Sequence, residues 1–428
     1  MKTRWHTAGI LLAFAFSFSC SPRHLDQTHQ QSKQAVTAKD ILGNPAYLAI
    51  SYGGYRKNSR DIQPSVEELK EDMKILAAMN IKVLRTYNTK LAEAANLLKA
   101  IRALNQEDPH LEMYVMMGAW MDCKNAFTNH PNHEDEDAET NAAEIQRAVD
   151  MANQYPDIVK IIAVGNEAMV KWAASYFVQP WVILKYVDQL QALKKAGKLP
   201  KDLWITSSDN FASWGGGGAE YHVEDLTKLF KAVDYVSIHT YPMHDTHYNP
   251  AFWGNFEGEK ALSDTAKIAA AMTRARNYAI TQYQSVVKYM KGLGIQKPIH
   301  IGETGWASAS NEHYGAAGSK ATDEYKKGMY YNMMREWTNR EGIACFYFEA
   351  FDEIWKDAAN PGGSENHFGL FTLDGKAKYA IWDLVDKGVF KGLSRDGHPV
   401  VKTYGGDKAA LLKEVMLPPV KQGTAIGN

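Results

Sequence analysis

The chain has 428 residues, is 45% hydrophobic and 11% aromatic, and carries a formal net charge of −1 at pH 7. This nearly neutral balance argues against nucleic acid, or a membrane surface held by charge alone, as the main partner. With 3 cysteines in the whole chain, a disulfide framework is not expected, and the stability must come from a large buried core.

The first residues predict an export signal. Lys2 and Arg4 precede a short apolar stretch, residues 8–19. This stretch is too short to span a bilayer as a helix, which needs about 20 apolar residues. A basic start followed by such a stretch is typical of a secretory signal, which we assign to residues 1–19.

Cys20 is the predicted lipidation site. The segment Ser17–Cys20 resembles a bacterial lipobox in which Ser replaces the usual Leu, and an ordinary signal peptide with an incidental Cys20 is the alternative. We expect the polar residues 20–40 to form a tether and residues 41–428 to form the folded domain. The mature protein is then exported and held at a membrane by its lipid alone, in the periplasm or at the cell surface.

Eight apolar stretches rich in β-branched and aromatic residues follow, with amphipathic helical patterns between them. The predicted strands are residues 47–54, 82–88, 112–120, 158–167, 203–210, 233–242, 298–306 and 343–353. Helices are predicted at residues 65–79, 141–154, 181–196, 263–292 and 320–340. Nearly continuous apolar strands alternating with helices are typical of a parallel sheet covered by helices.

The number of strand–helix units favours a single (β/α)8 barrel, also called a TIM barrel, in the α/β class. Such a barrel typically takes about 250 residues before insertions, and the eight units fit within the chain. A doubly wound open sheet is the alternative. It is weakened because residues 52–61, which follow the first predicted strand, do not match the glycine-rich turn that binds phosphate.

Polar and aromatic side chains lie at the ends of the predicted strands. They are Tyr55, Arg56, Arg85, Tyr87, Asn88, Trp120, Asn166, Glu167, Asp209, Asn210, His239, Tyr241, Glu303, Trp306, Glu349 and Glu353. In barrel enzymes the active site lies at the carboxyl ends of the strands. We therefore expect these side chains to surround one site.

Glu167 and Glu303 are the candidate catalytic residues. Hydrolysis of a glycosidic bond with retention needs two carboxyl groups about 5 to 5.5 Å apart, one protonated and one ionised. Each glutamate alone is better explained as a strand-end salt bridge, but the pair on the fourth and seventh predicted strands favours catalysis. Asn166 can donate to a sugar hydroxyl, and Trp306 can offer its ring face to a pyranose.

Four segments carry a resemblance to a known family. Val164–Glu167 and Gly302–Trp306 resemble the catalytic motifs of glycoside hydrolase family 17, which belongs to the clan of retaining (β/α)8 barrels and contains β-1,3-glucanases. Phe346–Lys356 is similar to the eighth-strand signature of that family, and Glu365–Phe371 resembles the block that follows it. The resemblance extends over about residues 47–381.

The resemblance implies roles for the matching positions. Glu167 would be the general acid and base and Glu303 the nucleophile. Glu353, Lys356 and Glu365 would form a charged cluster near the nucleophile and line the cleft, where Trp355 would also bind substrate.

Three further residues are expected to act on Glu303. Arg85 could hold the carboxylate ionised through charge-assisted hydrogen bonds. His239 and Tyr241 are expected to orient the same carboxylate. A structural polar network at the mouth of the barrel is the alternative for all three residues.

The sequence therefore predicts a monomeric, retaining glycoside hydrolase that cleaves β-1,3-glucan by double displacement. A glucanosyltransferase with the same site and a non-catalytic glycan-binding surface lipoprotein are the alternatives. Neither a cofactor nor a metal is predicted, because two carboxylates suffice for this chemistry. Ala307, where the family usually has Pro, and insertions around residues 121–137 and 243–262 leave the cleft length and endo or exo action open.

Overall fold

The computed structural model describes residue 1 and residues 36–421. The chain divides into residues 1–35 and residues 36–428, and only the second unit is described below. The predicted signal and Cys20 lie outside the described residues. The folded unit begins before residue 41, within the predicted tether, because helix α1, Ala38–Ile41, has Ala38 and Ile41 fully buried.

Eight parallel strands close into a barrel, which confirms the predicted (β/α)8 fold and excludes the open sheet. The strands are β1 Leu48–Ser51, β2 Ile81–Arg85, β3 Tyr114–Ala119, β4 Val159–Asn166, β5 Trp204–Asn210, β6 Val236–His239, β7 Ile299–Gly305 and β8 Cys345–Phe348. Each strand pairs with its neighbours in chain order, and Ala49 of β1 pairs with Phe346 of β8 to close the barrel.

Helices follow the strands as the amphipathic patterns indicate. The longer ones are α2 Val66–Ala78, α3 Ala92–Glu107, α4 Ala138–Gln154, α5 Pro180–Lys195, α6 Glu224–Ala232, α7 Pro242–Tyr248, α8 Asp264–Gly292 and α9 Glu324–Glu341. Helix α2 begins at a capping box, in which Glu68 N donates to Ser65 Oγ and Ser65 N donates to Glu68 Oε2. Helix α9 ends at Gly342, whose φ of 66° suits glycine.

The core has two layers. The smaller layer fills the barrel with alternate strand residues, among them Val83, Met116 and Phe346, and it includes Ala38 of α1. The larger layer packs the outer faces of the strands against the helices. The two layers form because successive residues of a strand point to opposite faces of the sheet, one set into the barrel and the other towards the helices.

Two segments depart from the simple barrel. After β3, residues 123–124 and 132–136 form a short antiparallel hairpin within the predicted insertion around residues 121–137. After β8, the chain forms α10, Trp382–Asp386, a second hairpin at residues 394–395 and 398–399, and α11, Lys408–Lys413. Within the described part of the chain, no helix combines the length and apolar character needed to cross a membrane.

Candidate active site

Glu303 lies at the carboxyl end of β7, where it is 7% exposed. Arg85 at the end of β2 donates to Glu303 Oε2, and Tyr241 after β6 donates to Glu303 Oε1. Tyr87 adds a third donor, with its hydroxyl 3.2 Å from Glu303 Oε2. The carboxylate is therefore surrounded by hydrogen-bond donors.

This environment keeps Glu303 ionised. Burial would raise the pKa of the carboxyl, but the electrostatic influence of His239 and Arg85 and the hydrogen bonds from Tyr241 and Arg85 outweigh it and lower the pKa to about 2. Burial and the charge of Glu303 raise the pKa of Tyr87 and of Tyr241 well above the ordinary value. Both phenols therefore stay protonated and act as donors.

Glu167 follows β4 and faces a different set of partners. Its Oε1 lies 3.1 Å from His239 Nδ1, and the other ring nitrogen of His239 lies 2.8 Å from Ser208 Oγ. The Glu167 side chain is 25% exposed, whereas His239 is fully buried. A partly exposed carboxyl group held by a buried histidine is suited to exchanging a proton with a molecule in the cleft.

The backbone is strained where β4 ends. Glu167 has a φ of 46°, in the left-handed region that residues other than glycine rarely adopt. Its amide N donates to Ser208 O at 3.1 Å, which fixes this conformation. Strain of this kind is typical of functional positions.

Arg85 also links the carboxyl ends of β7 and β4. Its second terminal nitrogen donates to Asn166 Oδ1, so that one guanidinium contacts both Glu303 and the residue before Glu167. With its oxygen engaged, the amide of Asn166 has its NH2 group left to donate, as expected for a contact with a sugar hydroxyl.

Close packing below Glu303 requires glycine. A Cβ at Gly302 would collide with the hydroxyls of Ser208 and Ser237, and one at Gly305 would collide with Phe348 O. The motif around Glu303 therefore needs glycine on both sides because neighbouring strands approach it closely.

Two predicted residues have other roles in the structure. His239 contacts Glu167, although it was expected to orient Glu303, because its ring points across the barrel towards β4. Trp306 was expected to stack on a sugar, but it is fully buried, donates to Ala321 O at 2.9 Å and packs against Trp253 and Tyr330. The prediction for Trp306 is wrong, since its ring has no exposed face.

The segment after β8 carries a buried charged cluster. Lys356 Nζ lies 2.5 Å from Glu349 and 3.3 Å from Glu353, and Trp355 Nε1 donates to Glu353 at 3.1 Å. Glu365 lies apart from this pair, half-exposed, with its closest ionic contact to His244 at 3.8 Å. The structure thus brings Glu353, Trp355 and Lys356 together, with Glu349 as the main partner of the lysine.

Several residues of the site had no predicted role. Tyr87, Ser208 and Glu349 were visible as strand-end or strand residues, but their partners could not be known without the closed barrel. Among the described residues, no group of His, Cys, Asp and Glu is placed to hold a metal ion. The described cysteines, Cys123 and Cys345, are both buried and free.

A closed (β/α)8 barrel with Glu167 and Glu303 at the carboxyl ends of β4 and β7 defines the class of the barrel glycoside hydrolases. The chain belongs, more narrowly, to the family described as the BtgE/BtgC glycoside hydrolase domain, whose model matches residues 49–369. The matched region contains all eight strands except the first residue of β1, and it contains every described residue of the site.

Similar proteins are known from several organisms. The sequence is 70% identical to that of an endo-laminarinase from Formosa Hel1_33_131, whose crystal structure is known. The two structures superpose with a TM-score of 0.90, and the match covers 92% of this chain and 100% of that chain. A glucan 1,3-beta-glucosidase of Arthroderma benhamiae is 27% identical, and the match covers 52% of this chain and 61% of the relative. A probable glucan endo-1,3-beta-glucosidase btgC of Aspergillus fumigatus is 25% identical over 72% of this chain and 38% of the relative. The chain therefore spans less than two thirds of these two relatives.

Proposed function

We propose that the protein hydrolyses β-1,3-glucan of the laminarin type with retention of configuration. The observation that carries the proposal is the contrast between the carboxylates. Glu303 is buried and held ionised by Arg85 and Tyr241, whereas Glu167 is partly exposed and contacts His239. The likeness to an endo-laminarinase supports this substrate and cleavage within the chain.

The first step forms a glycosyl-enzyme. A Glu303 oxygen attacks the anomeric carbon, and the bond from that carbon to the glycosidic oxygen breaks as Glu167 gives its proton to the departing oxygen. Arg85, Tyr87 and Tyr241 keep the attacking carboxylate ionised and oriented before the reaction. Asn166 donates to the 2-hydroxyl of the sugar, a bond that strengthens in the transition state.

The second step releases the sugar. Glu167 takes a proton from water, the water oxygen attacks the anomeric carbon, and the bond to Glu303 breaks. A sugar hydroxyl in place of water would give a longer product, which is the glucanosyltransferase reaction. Product sizes at high oligosaccharide concentration separate the two outcomes, because only transfer yields products longer than the substrate.

The roles of the two glutamates are tested by substitution. In Glu167→Ala, laminarin cleavage is expected to fall by about 100- to 10,000-fold, the usual contribution of general acid and base catalysis. In Glu303→Ala, turnover is expected to disappear. Added azide should give a β-glycosyl azide with Glu167→Ala and an α-glycosyl azide with Glu303→Ala, since azide replaces water in one variant and the nucleophile in the other.

The control is Glu67→Ala, which removes an exposed carboxylate from α2. Reducing-sugar release measures turnover, and nuclear magnetic resonance of the first product reports its anomeric form. A β anomer is expected. Full activity of either active-site variant, or a first product that is the α anomer, would contradict the assignment.

We further propose membership of glycoside hydrolase family 17, supported by the motifs around Glu167, Glu303 and Glu353. The BtgE/BtgC match is consistent with this finer assignment. Inhibition by a mechanism-based β-glucoside that labels Glu303 would support the common catalytic scheme.

We also propose export, cleavage before Cys20 and lipidation of that cysteine, with a tether ahead of the domain and a monomeric mature protein. The basic start and the short apolar stretch support this proposal. Mass spectrometry of the mature protein and of Cys20→Ser tests it. An unmodified amino terminus at another residue would contradict lipidation, and gel filtration with light scattering tests the monomer.

A further inference from the structure

An exposed aromatic ring stands at the tip of the hairpin that follows β3. Phe127 lies between the two short strands of this hairpin and is 62% exposed. Its φ of 59° lies in the left-handed region, which is unfavourable for a bulky residue. An exposed phenylalanine in a strained conformation raises the free energy of the folded protein, so it points to a function.

The hairpin is fastened to the loop that follows β4. Phe127 N donates to Ser175 O at 2.7 Å, and Cys123 N donates to Tyr176 O at 3.3 Å. On the second strand of the hairpin, His133 Nδ1 lies 2.9 Å from Phe177 O. These contacts fix the position of Phe127 relative to the loop that begins at Glu167.

Phe127 is the outermost member of a series of three rings. Its ring stacks on Tyr176 with centroids 5.5 Å apart and an interplanar angle of 26°, and Tyr176 lies 4.9 Å from Trp120. Trp120 is held in place because its Nε1 donates to Asp122 at 2.7 Å. Tyr176 and Trp120 are both partly exposed, so the series forms a surface open to solvent.

The inner ring, Trp120, directly follows β3, whose Ala119 pairs with Val164 of β4, so Trp120 lies at the same edge of the barrel as Glu167. Burial raises the pKa of the Tyr176 phenol, and the nearby charge of Glu167 raises it further, followed by that of Asp209. Tyr176 lies on the loop that follows Glu167, and Phe127, the most exposed of the three rings, lies farther out towards solvent. The three rings therefore extend from the edge of the barrel that carries Glu167 towards solvent.

We infer that Trp120, Tyr176 and Phe127 form an aromatic track that binds the leaving-group part of a β-glucan chain, with Phe127 as its distal subsite. The faces of glucose rings are apolar and pack on aromatic rings, and neutral sugars need no charged partner. The inference rests on the proposed function, because it takes the orientation of the substrate from the role of Glu167. It also accounts for cleavage within a chain, since glucose units beyond the departing one stay bound.

The track is tested by varying Phe127 and the length of the substrate. With laminarihexaose, Phe127→Ala is expected to raise KM about fivefold to tenfold with kcat nearly unchanged, the size of one lost aromatic contact. With laminaritriose, which is too short to reach the distal ring, KM should stay as in the unsubstituted protein. Phe127→Trp should restore the KM for laminarihexaose, whereas Phe127→Leu should not, because it keeps apolar bulk without a flat face.

Leu412→Ala serves as the matched control, since it removes an exposed apolar side chain from α11. An equal change of KM for both substrates, or none for either, would overturn the track. Binding to the inert Glu303→Ala protein, measured by calorimetry with and without Phe127→Ala, separates this inference from the proposed function. Unchanged laminarihexaose affinity rejects the track, whereas absence of laminarin turnover by the unsubstituted protein rejects the function.

Discussion

Glu303 shows how single side chains set the chemistry of the cleft. A buried carboxylate without partners would be driven to its neutral form, because burial disfavours the charge. Arg85 and Tyr241 each supply a donor to one of its two oxygens, and Tyr87 adds another. The nearby charge of His239 and these contacts together keep the nucleophile ionised over the whole physiological range.

Removing one donor should change the protonation of the nucleophile. In Tyr241→Phe, the carboxylate loses the donor on Oε1, so the pKa of Glu303 should rise. A hydrogen bond to a charged group contributes about 1.5 to 3 kcal/mol, which corresponds to about 1 to 2 pH units. We expect the acidic limb of kcat/KM against pH to move to higher pH, and kcat at neutral pH to fall about tenfold or more.

The matched control is Tyr330→Phe. Tyr330 is fully buried, and its hydroxyl lies 2.8 Å from Thr304 Oγ1, one residue beyond Glu303. This variant should lose stability without moving the acidic limb. An unchanged limb in Tyr241→Phe would show that the hydroxyl does not hold Glu303 ionised.

At the scale of strands and helices, the eight strands were predictable because each is a continuous apolar stretch followed by polar residues. Their carboxyl ends meet in a barrel, so Arg85, Glu167, Tyr241 and Glu303 could be assigned to one site. The partners across the barrel could not be assigned, since they depend on strand register. His239 illustrates this limit, because only its position opposite Asn210 of β5 and Glu303 of β7 determines which carboxylate its ring reaches.

The orientation of side chains beyond the end of a strand could not be predicted from the sequence either. Trp306 follows the last residue of β7, where the strict alternation of strand side chains no longer applies. Its ring turns towards α9 and packs on Tyr330. A tryptophan beside a catalytic motif therefore proved to be core, whereas the exposed rings of Trp120, Phe127 and Tyr176 lie in the segments after β3 and β4.

The segment after β8 gives a prediction about stability. Lys356 is the shared partner of two buried carboxylates, Glu349 and Glu353. Burial lowers the pKa of this lysine and the two carboxylates raise it, with a net rise, whereas burial raises the pKa of Glu349 well above its ordinary value. A lysine with a raised pKa stabilises the fold below its unfolded pKa, and this contribution is lost only as the pH rises through the folded value.

Lys356→Met should therefore lower the free energy of unfolding most at a pH at which Glu349 and Glu353 are charged. At pH 8 we expect a loss of about 3 to 5 kcal/mol in the free energy of unfolding, as for a buried pair that loses one member. At pH 5 the loss should be smaller, because the carboxyl with the raised pKa can take up a proton. Urea unfolding at both pH values measures this, and Lys387→Met, whose partner Asp383 is exposed, should lose little at either. Equal losses at both pH values would argue against charge as the cause.

At the scale of the whole molecule, the segment that follows the family match contacts both α2, near the start of the barrel, and the residues after β8, at its end. Arg395, outside residues 49–369, is fully buried and donates from Nε to Asp72 of α2 at 2.8 Å. Its guanidinium also lies 4.1 Å from the centre of the Phe351 ring, just before Glu353. Asp72 in turn accepts from Tyr52 at 2.9 Å, so the carboxyl-terminal segment reaches the loop after β1.

Arg395→Met is expected to destabilise the whole domain. Asp72 would keep Tyr52 and Arg56 as donors but lose its two-nitrogen contact with Arg395, and breaking a buried pair costs about 3 to 5 kcal/mol. Guanidinium unfolding at pH 7 measures the loss. Arg340→Met, which breaks an exposed pair with Glu341, should cost about 0 to 1 kcal/mol.

A double-mutant cycle separates the ion pair from the lost packing of the arginine stem. Arg395→Met and Asp72→Asn together should cost less than the sum of the single changes, by about 0.5 to 3 kcal/mol, because each single change already removes the same ion pair. Strict additivity would show that the pair contributes nothing of its own. In that case packing of the stem against Phe351 would be what holds the carboxyl-terminal segment on the barrel.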